Sequence, residues 1–567
     1  MRYFYVFIAI ISGTHLSPAQ SPTATIDINN VRVTFNAVGD IVQFEAPKNS
    51  GLSPLYAANL WIAGMDAQSQ LHLAAQTYSQ GGSDFFAGPL DTVTAMCTAA
   101  MSAQWNKVWK INKTMIDSFI LGLYGTAVPP EVSAWPAHGN PVFNQSKKLA
   151  PFMDVNNDGN YTPATGDYPL IQGDQALYFI FNDAMQGTPH GTGGLPLGVE
   201  VHGMAYAFRC GNDSALNNTI FVSYRLINRS SSPYQSWSSV GVWADHDMGY
   251  YGDDYLGFDV ERDCFYAYNG DGYDDNAYLS NLAAQAVVLL RGPLSDSADG
   301  IDNDRDCIVD ETDSTGGPME PVKFARFMSY YNNFGPLGNP VSDTDYYSYM
   351  GGIWKDGTPV TYGGNGHNTG IPCSFMFPDL SDQLVSWGTG GNCQSPQPPQ
   401  PQWNEVTAGS TPSDRRGIAS CKYELSFLPN KDQHMTLAYV FGRDYTGSGI
   451  QASLNVMNTR VDSICSYFNA NLTPCGMMFN TAVPAYPSFS ERLSLYPNPA
   501  GQNLHLCFDM KNREALVQIY DITGALIGKS TVRAGNVPLD ISFLAAGLYV
   551  VKVIDGTLVY SKKFLKQ

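Results

Sequence analysis

Alternation of apolar and polar side chains predicts several β-strands along the chain. Residues 31–35 and 220–226 each alternate with a period of two, and residues 435–441 form a third strand-like run. One helix is predicted to begin near Thr114, because Thr114 and Asp117 have the spacing of a capping box and the apolar residues after them share one helical face. The pattern favours an all-β, multi-domain protein with few short helices.

The pattern changes near the C-terminus, where seven short apolar runs are separated by turn signals. A Pro-bearing stretch at residues 481–489 precedes these runs and has the composition of a linker. Asp555-Gly556 stands between two apolar runs, which is typical of a β-hairpin. Roughly eighty residues with seven patterned strands predict an immunoglobulin-like β-sandwich.

These patterns divide the chain into five expected segments. They are a signal peptide at residues 1–19, β-rich regions at 20–235 and 236–475, a linker at 476–490 and a C-terminal domain at 491–567. The signal peptide is predicted from Arg2, a short apolar core at residues 3–12 and a small-residue cleavage site at residues 17–19. No later stretch reaches the roughly 18 apolar residues of a membrane helix, so no transmembrane span is expected.

Charge and cysteine content narrow the possible functions. The 567 residues include 51 acidic and 32 basic side chains, for a formal net charge of −19. So acidic a chain has no basic stripe to neutralise phosphates, which argues against nucleic-acid binding and fits binding of divalent cations. The ten cysteines follow the predicted signal peptide, where disulfides are permitted. Their pairing stays open, and because Cys507 lies alone in the C-terminal segment, at least one buried free thiol is expected.

The C-terminal segment closely resembles the type A sorting domain of the Bacteroidetes type IX secretion system. The matching motifs are Tyr-Pro-Asn-Pro at residues 496–499, Ile-Tyr-Asp at 519–521, Ala-Gly-Leu-Tyr at 546–549 and the basic end with Lys562 and Lys563. The resemblance implies that the type IX machinery recognises residues 491–567, and that the cargo is then anchored to surface lipopolysaccharide or released. The protein is therefore expected outside the cell, secreted or on the cell surface.

The rest of the chain resembles a group of large exported Bacteroidetes proteins that end in the same sorting domain. Residues 60–78, 166–183, 197–208, 352–367 and 414–416 carry this resemblance. Those proteins are largely uncharacterised, so the resemblance supports the location and implies nothing about the activity.

Two Asp-rich stretches have the spacing of calcium-binding loops, in which alternate residues converge on one ion. Around Gly159, at the sharp turn of the first loop, the expected ligands are Asp154, Asn156, Asp158, Asn160 and Asp167. In the second loop they are Asp302, Asp304, Asp306, the carbonyl of Ile308, Asp310 and Asp313. The second loop has Cys307 where glycine is usual and ends without a glutamate, so it looks more like the Asp-rich loops of thrombospondin type 3 repeats than an EF-hand.

A third acidic stretch, residues 243–259, is less regular. Asp245 and Asp247 are the expected ligands there, which gives two or three structural calcium sites in total. Solvated acidic turns are the alternative for all three stretches, because Asp and Gly are common turn formers. Bound calcium would neutralise carboxylates that otherwise repel one another, and it would hold long loops together.

Catalysis is the other kind of function to weigh. The sequence has no H-E-x-x-H, G-x-S-x-G or Walker A motif. Glu200, His202 and His190 are residue types that bind metals, and the Asp-His-Asp run at residues 245–247 has the types of a general acid and base. Satisfied core histidines, surface pairs and turn structure are the simpler explanations of the same residues.

The sequence therefore predicts a calcium-stabilised exported protein with a structural or adhesive role in contact with matrix or glycans. The alternative is a secreted glycan- or peptide-degrading hydrolase, whose paired carboxylates depend on spacing in three dimensions. Trp243, Trp354, Trp387 and Trp403 would stack on sugars if they were exposed, whereas core packing is the default for tryptophan.

Overall fold

The computed structural model describes most of the chain in thirteen ranges. These are residues 22–78, 83–275, 277–296, 300–309, 319–423, 427–447, 449–479, 494–496, 499–507, 514–521, 525–533, 536–555 and 558–567. The expected signal peptide and residues 480–490 of the expected linker lie outside them. The chain divides into two compact units, residues 1–475 and 476–567, here termed the body and the tail.

The described part of the body contains twenty-one strands. In chain order they are β1 (Thr23–Ile26), β2 (Arg32–Asn36), β3 (Ile41–Glu45), β4 (Ala57–Met65), β5 (Leu71–Ala75), β6 (Phe86–Ala87), β7 (Trp109–Asn112), β8 (Phe152–Met153), β9 (Tyr168–Pro169), β10 (Gln175–Asn182), β11 (Val199–Ala207), β12 (Thr219–Asn228), β13 (Gln235–Asp245), β14 (Asp254–Asp259), β15 (Cys264–Asn269), β16 (Ala283–Arg291), β17 (Leu294–Asp296), β18 (Met319–Pro321), β19 (Arg326–Tyr331), β20 (Arg415–Tyr423) and β21 (Asp432–Arg443).

Helices are few in the described residues. They are α1 (Ala99–Trp105), α2 (Lys113–Ile120), α3 (Pro130–Ser133), α4 (Asp343–Met350) and α5 (Ile450–Asn469), with single 3₁₀ turns at Pro141–Phe143, Pro163–Thr165, Leu216–Asn218, Tyr251–Asp253 and Trp387–Thr389. This content confirms the predicted all-β class.

Two large antiparallel sheets form the body. The first has the order β1-β2-β3-β4-β13-β20-β19, with β5 added on β4, and the second has the order β14-β15-β16-β21-β12-β11-β10-β6, with β7 added on β10. One apolar core joins the two layers, since Trp61 and Trp243 of the first sheet belong to the same buried cluster as Phe179, Val222 and Leu437 of the second. Both sheets take strands from before and after residue 235, so the boundary expected there does not separate them.

Burial explains why some strands lack the alternating pattern. Every residue of β10 and β11 is buried, and their sequences are almost continuously apolar. A strand covered on both faces has no side that needs polar residues. Helix α5 covers part of the outer face of this sheet by packing against β16 and β21.

Helices α2 and α5 differ in how well the sequence predicted them. Helix α2 is confirmed, but it begins at Lys113, so Thr114 lies inside the first turn and the predicted capping box is not formed. Helix α5, twenty residues long, was not predicted. Its buried side chains Met457, Val461, Ile464 and Phe468 are spaced by four, three and four residues, which is the helical pattern that identifies it.

The tail is a small β-sandwich, as predicted. Its described strands are β22 (Ser494–Tyr496), β23 (Asn503–Cys507), β24 (Ala515–Asp521), β25 (Leu526–Val532), β26 (Asn536–Asp540), β27 (Gly547–Asp555) and β28 (Leu558–Lys566). They form the sheets β22-β23-β26 and β25-β24-β27-β28, whose inner side chains, including Leu506 and Val551, share one core. The pairing of Asp555 with Leu558 confirms the predicted hairpin.

Two disulfides are present in the described part of the body. Cys210 pairs with Cys475, and Cys307 pairs with Cys393. Three free thiols are buried, which agrees with the expectation of at least one; they belong to Cys97, Cys264 and Cys421.

Candidate functional site

The two predicted calcium loops have the same local backbone. In the first, the backbone N–H groups of Asp158 and Gly159 donate to the two oxygens of Asp154, at 3.2 and 2.9 Å. In the second, the N–H groups of Asp306 and Cys307 donate to Asp302 in the same way, at 3.0 and 2.9 Å.

The left-handed residues of the two loops also coincide. Positions 4 and 6 of the first loop are Asn157 and Gly159, with φ of 63° and 73°, and the same positions of the second loop are Arg305 and Cys307, with φ of 60° and 77°. Positive φ favours glycine or asparagine. Cys307 therefore adopts the turn that the sequence assigned to glycine, and its disulfide to Cys393 ties this turn to the rest of the body.

The carboxylates of the second loop converge. Asp302, Asp304 and Asp306 each offer an oxygen, and these oxygens lie within 4.8 Å of one another. Two oxygens bound to one calcium at about 2.3–2.6 Å can be at most about 5 Å apart, so this spacing is compatible with a shared ion. Burial raises the pKa of Asp304, and the charges of Asp306 and Asp302 act in the same direction. Asp310 and Asp313, also predicted as ligands, lie outside the described residues.

The first loop is closed by its last predicted ligand. Asp167 is fully buried, and its two oxygens accept the backbone N–H groups of Val155 and Thr162, each at 2.8 Å. The amide of Asn156 donates to Asp158 at 3.0 Å, and the N–H of Asn160 donates to Asp158 at 2.7 Å. These contacts order the loop, but its carboxylates, all of which the structure describes, do not form a group of three with oxygens within 4.8 Å of one another, as those of the second loop do.

The third acidic stretch is completed by residues far away in sequence. Strands β4, β13 and β20 are neighbours in the first sheet, and the register pairs Asp245 with Ala57 on one side and with Arg416 on the other. Because the strands are antiparallel, the end of β13 lies beside the starts of β4 and β20. Asp414, just before β20, therefore joins Asp245 and Asp247, and oxygens of all three lie within 4.8 Å of one another.

A polar network surrounds this carboxylate cluster. The guanidinium of Arg416 donates to Asp245 at 3.1 Å, to the Tyr78 hydroxyl at 2.7 Å and also to Asp414. The Tyr78 hydroxyl donates to the same Asp245 oxygen, Oδ2. Asn332 donates to the second oxygen of Asp414 at 2.8 Å. The other oxygen of Asp245, Oδ1, is buried and has no hydrogen-bond partner among the described residues.

The electrostatics of the cluster favour added positive charge. Burial raises the pKa of Asp245 to about 7, and the charges of Asp247 and Asp414 act in the same direction against Arg416. Burial and the charge of Asp414 raise the pKa of Asp247 to about 6. A single arginine thus does not compensate three neighbouring carboxylates.

The cluster opens into a cavity of about 510 Å³. Its lining residues are Tyr56, Tyr78, Asp245, Asp247, Tyr251, Asn332, Asp414 and Arg416. Tyr56 and Tyr251 are 53% and 51% exposed and border the opening, whereas Asp245, at 2% exposure, forms part of the wall. The cavity combines aromatic faces with carboxylate, amide and guanidinium groups, as ligand sites do.

Of the other predicted metal-binding residues, Glu200 and His202 contact each other, but His190 does not join them. Glu200 accepts the Nε2–H of His202 at 2.8 Å and an N–H of Arg229 at 2.7 Å. His190 instead contacts the carbonyl oxygens of Leu73 and Asp183 with its two ring nitrogens, at 2.8 and 2.6 Å. Both ring nitrogens of His190 are therefore engaged with backbone carbonyl groups.

The histidine of the predicted acid–base run is also unavailable for catalysis. His246 lies between Asp245 and Asp247, which line the cavity, but it is itself buried and packs edge-on against Phe265 at 5.8 Å between ring centroids. Its burial lowers the pKa to about 3, so the ring is neutral. Trp243, Trp354 and Trp403 are likewise buried, so core packing explains them rather than sugar stacking.

The tail identifies the class of protein. Residues 494–567 match the family model described as the secretion system C-terminal sorting domain. The protein is therefore an exported, Bacteroidetes-type protein that the type IX secretion machinery handles, with a secreted or cell-surface location. Within the described residues, no helix is both long and apolar enough to cross a membrane.

Two solved structures are distantly similar to the chain. No curated protein matches the chain. Among solved structures, a polysaccharide lyase is 6% identical with a TM-score of 0.18 over 71% of this chain, and the dimeric latent PorU of Porphyromonas gingivalis is 12% identical with a TM-score of 0.12 over 69%. The chain spans 37% and 31% of those two chains, and TM-scores this low support no inference about its function.

Proposed function

We propose that this exported protein is a calcium-stabilised structural or adhesive protein of the cell surface. The observation that carries the proposal is the shared geometry of the loops at Asp154 and Asp302, which have the same hydrogen bonds and the same two left-handed positions. The two stretches share this turn, and in the second the oxygens of Asp302, Asp304 and Asp306 lie within 4.8 Å of one another, as the ligands of a calcium loop do.

Calcium would act in these loops as a structural link rather than as a reactant. Both loops lie in connections of the body, the first between β8 and β9 and the second between β17 and β18. At millimolar calcium and a dissociation constant near 10⁻⁴ M, each site adds about 1.4 kcal/mol to the free energy of unfolding. Two loops add about 3 kcal/mol, which is a large share of the net stability of a folded domain.

The partners in this proposal follow from the location. Type IX export brings the body to the outer face of the cell, where surface lipopolysaccharide and extracellular glycans are the abundant neighbours. The metallohydrolase form of the hydrolase alternative loses support, since both ring nitrogens of His190 contact backbone carbonyl oxygens and His190 does not join Glu200 and His202. We therefore favour binding over degradation.

Thermal unfolding of the purified protein, measured with calcium and with a chelator, tests the proposal. Removal of calcium by EGTA is expected to lower Tm by about 3 °C for a body of this size, and added calcium should restore it. Asp158→Asn and Asp306→Asn should each remove about half of the calcium-dependent shift. Asp444→Asn is the matched control, because Asp444 also accepts two backbone N–H groups, from Thr446 and Gly447, but lies outside an acidic cluster. An identical Tm with calcium and with chelator would refute the proposal.

A further inference from the structure

The cavity at Asp245 differs from the two calcium loops in how it is built. Each loop is local, and its carboxylates accept backbone N–H groups of the same turn. The cavity cluster is assembled from the ends of different strands, and it opens to solvent between Tyr56 and Tyr251. A cation held there would remain accessible from outside, unlike one enclosed by a tight loop.

The charge balance of the cluster calls for a cation. Arg416 is the one positively charged residue in the cavity lining, so Asp245, Asp247 and Asp414 leave two negative charges when all three are ionised. Only 2% of Asp245 is exposed, and its Oδ1 has no hydrogen-bond partner in the described structure. A buried carboxylate oxygen without a partner is costly, and a divalent ion would satisfy it and neutralise the cluster together with Arg416.

The protein alone does not complete the coordination of such an ion. Calcium takes six to eight oxygens, and three carboxylates supply about three when each gives one. Part of the capacity of this cluster is already used, because Arg416 and Tyr78 donate to Asp245 Oδ2, and Arg416 and Asn332 donate to the two oxygens of Asp414. The remaining positions face the cavity and must be filled by water or by oxygens of a bound molecule.

The residues that line the cavity indicate which class of molecule would bind there. Its volume of about 510 Å³ is in the usual range for small-ligand sites. The half-exposed rings of Tyr56 and Tyr251 offer apolar faces, and Asn332 and Arg416 offer polar hydrogen-bonding groups. A sugar matches this combination, since its C–H face packs on an aromatic ring while two neighbouring hydroxyls reach the ion.

We propose that Asp245, Asp247 and Asp414 hold a calcium ion whose open coordination positions bind neighbouring hydroxyl groups of a sugar in the cavity. The inference deepens the adhesive function proposed above, on which it rests, by naming the site and the class of ligand. Asp245 is the buried anchor of the ion, Asp247 and Asp414 hold it from two strand ends, and Tyr251 and Tyr56 flank the sugar.

Calorimetric titration of the full chain tests the site with defined probes. Calcium is titrated first, and then D-mannose, D-galactose, D-glucose and L-fucose are each titrated with calcium or with EGTA. We expect at least one of these sugars to bind in calcium and none in EGTA. Asp247→Asn and Asp414→Asn should each remove one calcium ion per chain and abolish sugar binding. Binding of none of the four sugars, or equal binding in EGTA, would overturn the proposal.

A second test compares Tyr251 with Tyr273, which has nearly the same exposure, and it leaves the carboxylates unchanged. Tyr251→Ala should weaken sugar binding by about tenfold, the loss of one aromatic contact, and leave the number of bound calcium ions unchanged. Tyr273 is 50% exposed and lies outside the cavity lining, so Tyr273→Ala should change neither quantity. Equal effects of the two substitutions would contradict a sugar seated at Tyr251.

The design separates this inference from the function on which it rests. Suppose that Asp158→Asn and Asp306→Asn lower the calcium-dependent Tm shift while Asp247→Asn keeps every calcium ion. The structural role of calcium in the loops is then supported, and the cavity site is refuted. If Asp247→Asn loses one calcium ion and sugar binding while the loop variants change nothing, the cavity site stands and the structural role of the loops fails.

Discussion

Glu200 is a charged residue in a fully buried strand, β11, of which it is the second residue. Burial alone would raise its pKa, but the hydrogen bond from His202 and the charge of Arg229 outweigh burial and lower the pKa to about 2. His202 is itself neutral, since burial lowers its pKa, and its Nδ1 then accepts the hydroxyl of Tyr178 at 3.0 Å. The second oxygen of Glu200 accepts the N–H of Leu90 at 2.9 Å.

Replacement of this carboxylate should destabilise the body in a pH-dependent way. Glu200→Gln leaves Arg229 without its anion, so we expect a loss of about 3 kcal/mol in the free energy of unfolding at neutral pH. The pKa is depressed in the folded chain, so the contribution is complete above about 4.5, the pKa of an unperturbed glutamate, and it disappears as the pH falls toward about 2. The gap between wild type and variant should therefore shrink over this interval.

Urea unfolding from neutral pH down to about pH 3 measures this gap. The matched control is Glu261→Gln, because Glu261 is an exposed glutamate of the same unit, and its effect should stay within about 0.5 kcal/mol at every pH. A gap of constant size for Glu200→Gln would mean that its cost comes from packing rather than from charge.

Single residues also mark the limit of what the sequence could predict. Asp245 and Asp247 were identified because they lie in one acidic stretch, but Asp414, Arg416 and Tyr78 were not assigned to the site. Asp245 and Arg416 are 171 residues apart, and only the pairing of β13 with β20 places them together. Strand register is set by the whole core, so no local spacing contained this information.

At the scale of elements, local patterns were the predictable part. The two Asp-rich loops and the hairpin at Asp555 depend on residues within about a dozen positions, and each adopts the turn that its spacing indicates. Strands β10 and β11 were harder to recognise because burial on both faces removes their alternation. Helix α5 had a readable pattern, whereas its place on β16 and β21 depends on contacts that the sequence does not encode locally.

Helix α5 is joined to the body by the disulfide from Cys475, just after the helix, to Cys210, just after β11. The bond closes a loop of 265 residues, so it restricts the unfolded chain strongly. The double variant Cys210→Ser/Cys475→Ser should therefore lose about 2–4 kcal/mol in the free energy of unfolding, and its amide hydrogens in α5 should exchange faster.

Hydrogen exchange and urea unfolding in non-reducing buffer check this expectation. Cys373→Ser is the control, since Cys373 is a partly buried free thiol outside the two disulfides. Faster exchange confined to other parts of the body, with α5 unchanged, would show that the disulfide does not secure the helix.

At the scale of the whole molecule, the tail, which carries the sorting domain, and the body are separate compact units. Each of the seven described tail strands pairs with other strands of the tail, and both large sheets are built from strands of the body. Deletion of residues 491–567 should therefore leave the body folded but trap it in the periplasm, because the sorting domain is missing. Protease accessibility on intact cells and fractionation of periplasm measure the two outcomes.

The reciprocal fusion is the control for this deletion. Residues 476–567 joined to an exported reporter should bring the reporter to the outside of the cell. Surface display of the truncated chain, or a reporter that stays in the periplasm, would contradict the role of the tail. If the Tm of the truncated chain equals the Tm of the body transition in the full chain, the deletion acts on sorting and not on folding.

The order of strands in the two sheets has a consequence for biosynthesis. Strand β21 (Asp432–Arg443) is the last strand of the body in sequence, yet it lies between β16 and β12, and β20 (Arg415–Tyr423) lies between β13 and β19. A nascent polypeptide that stops before residue 415 leaves four open strand edges, which are sites for intermolecular pairing. Neither sheet can therefore be completed until almost the entire body has been synthesised.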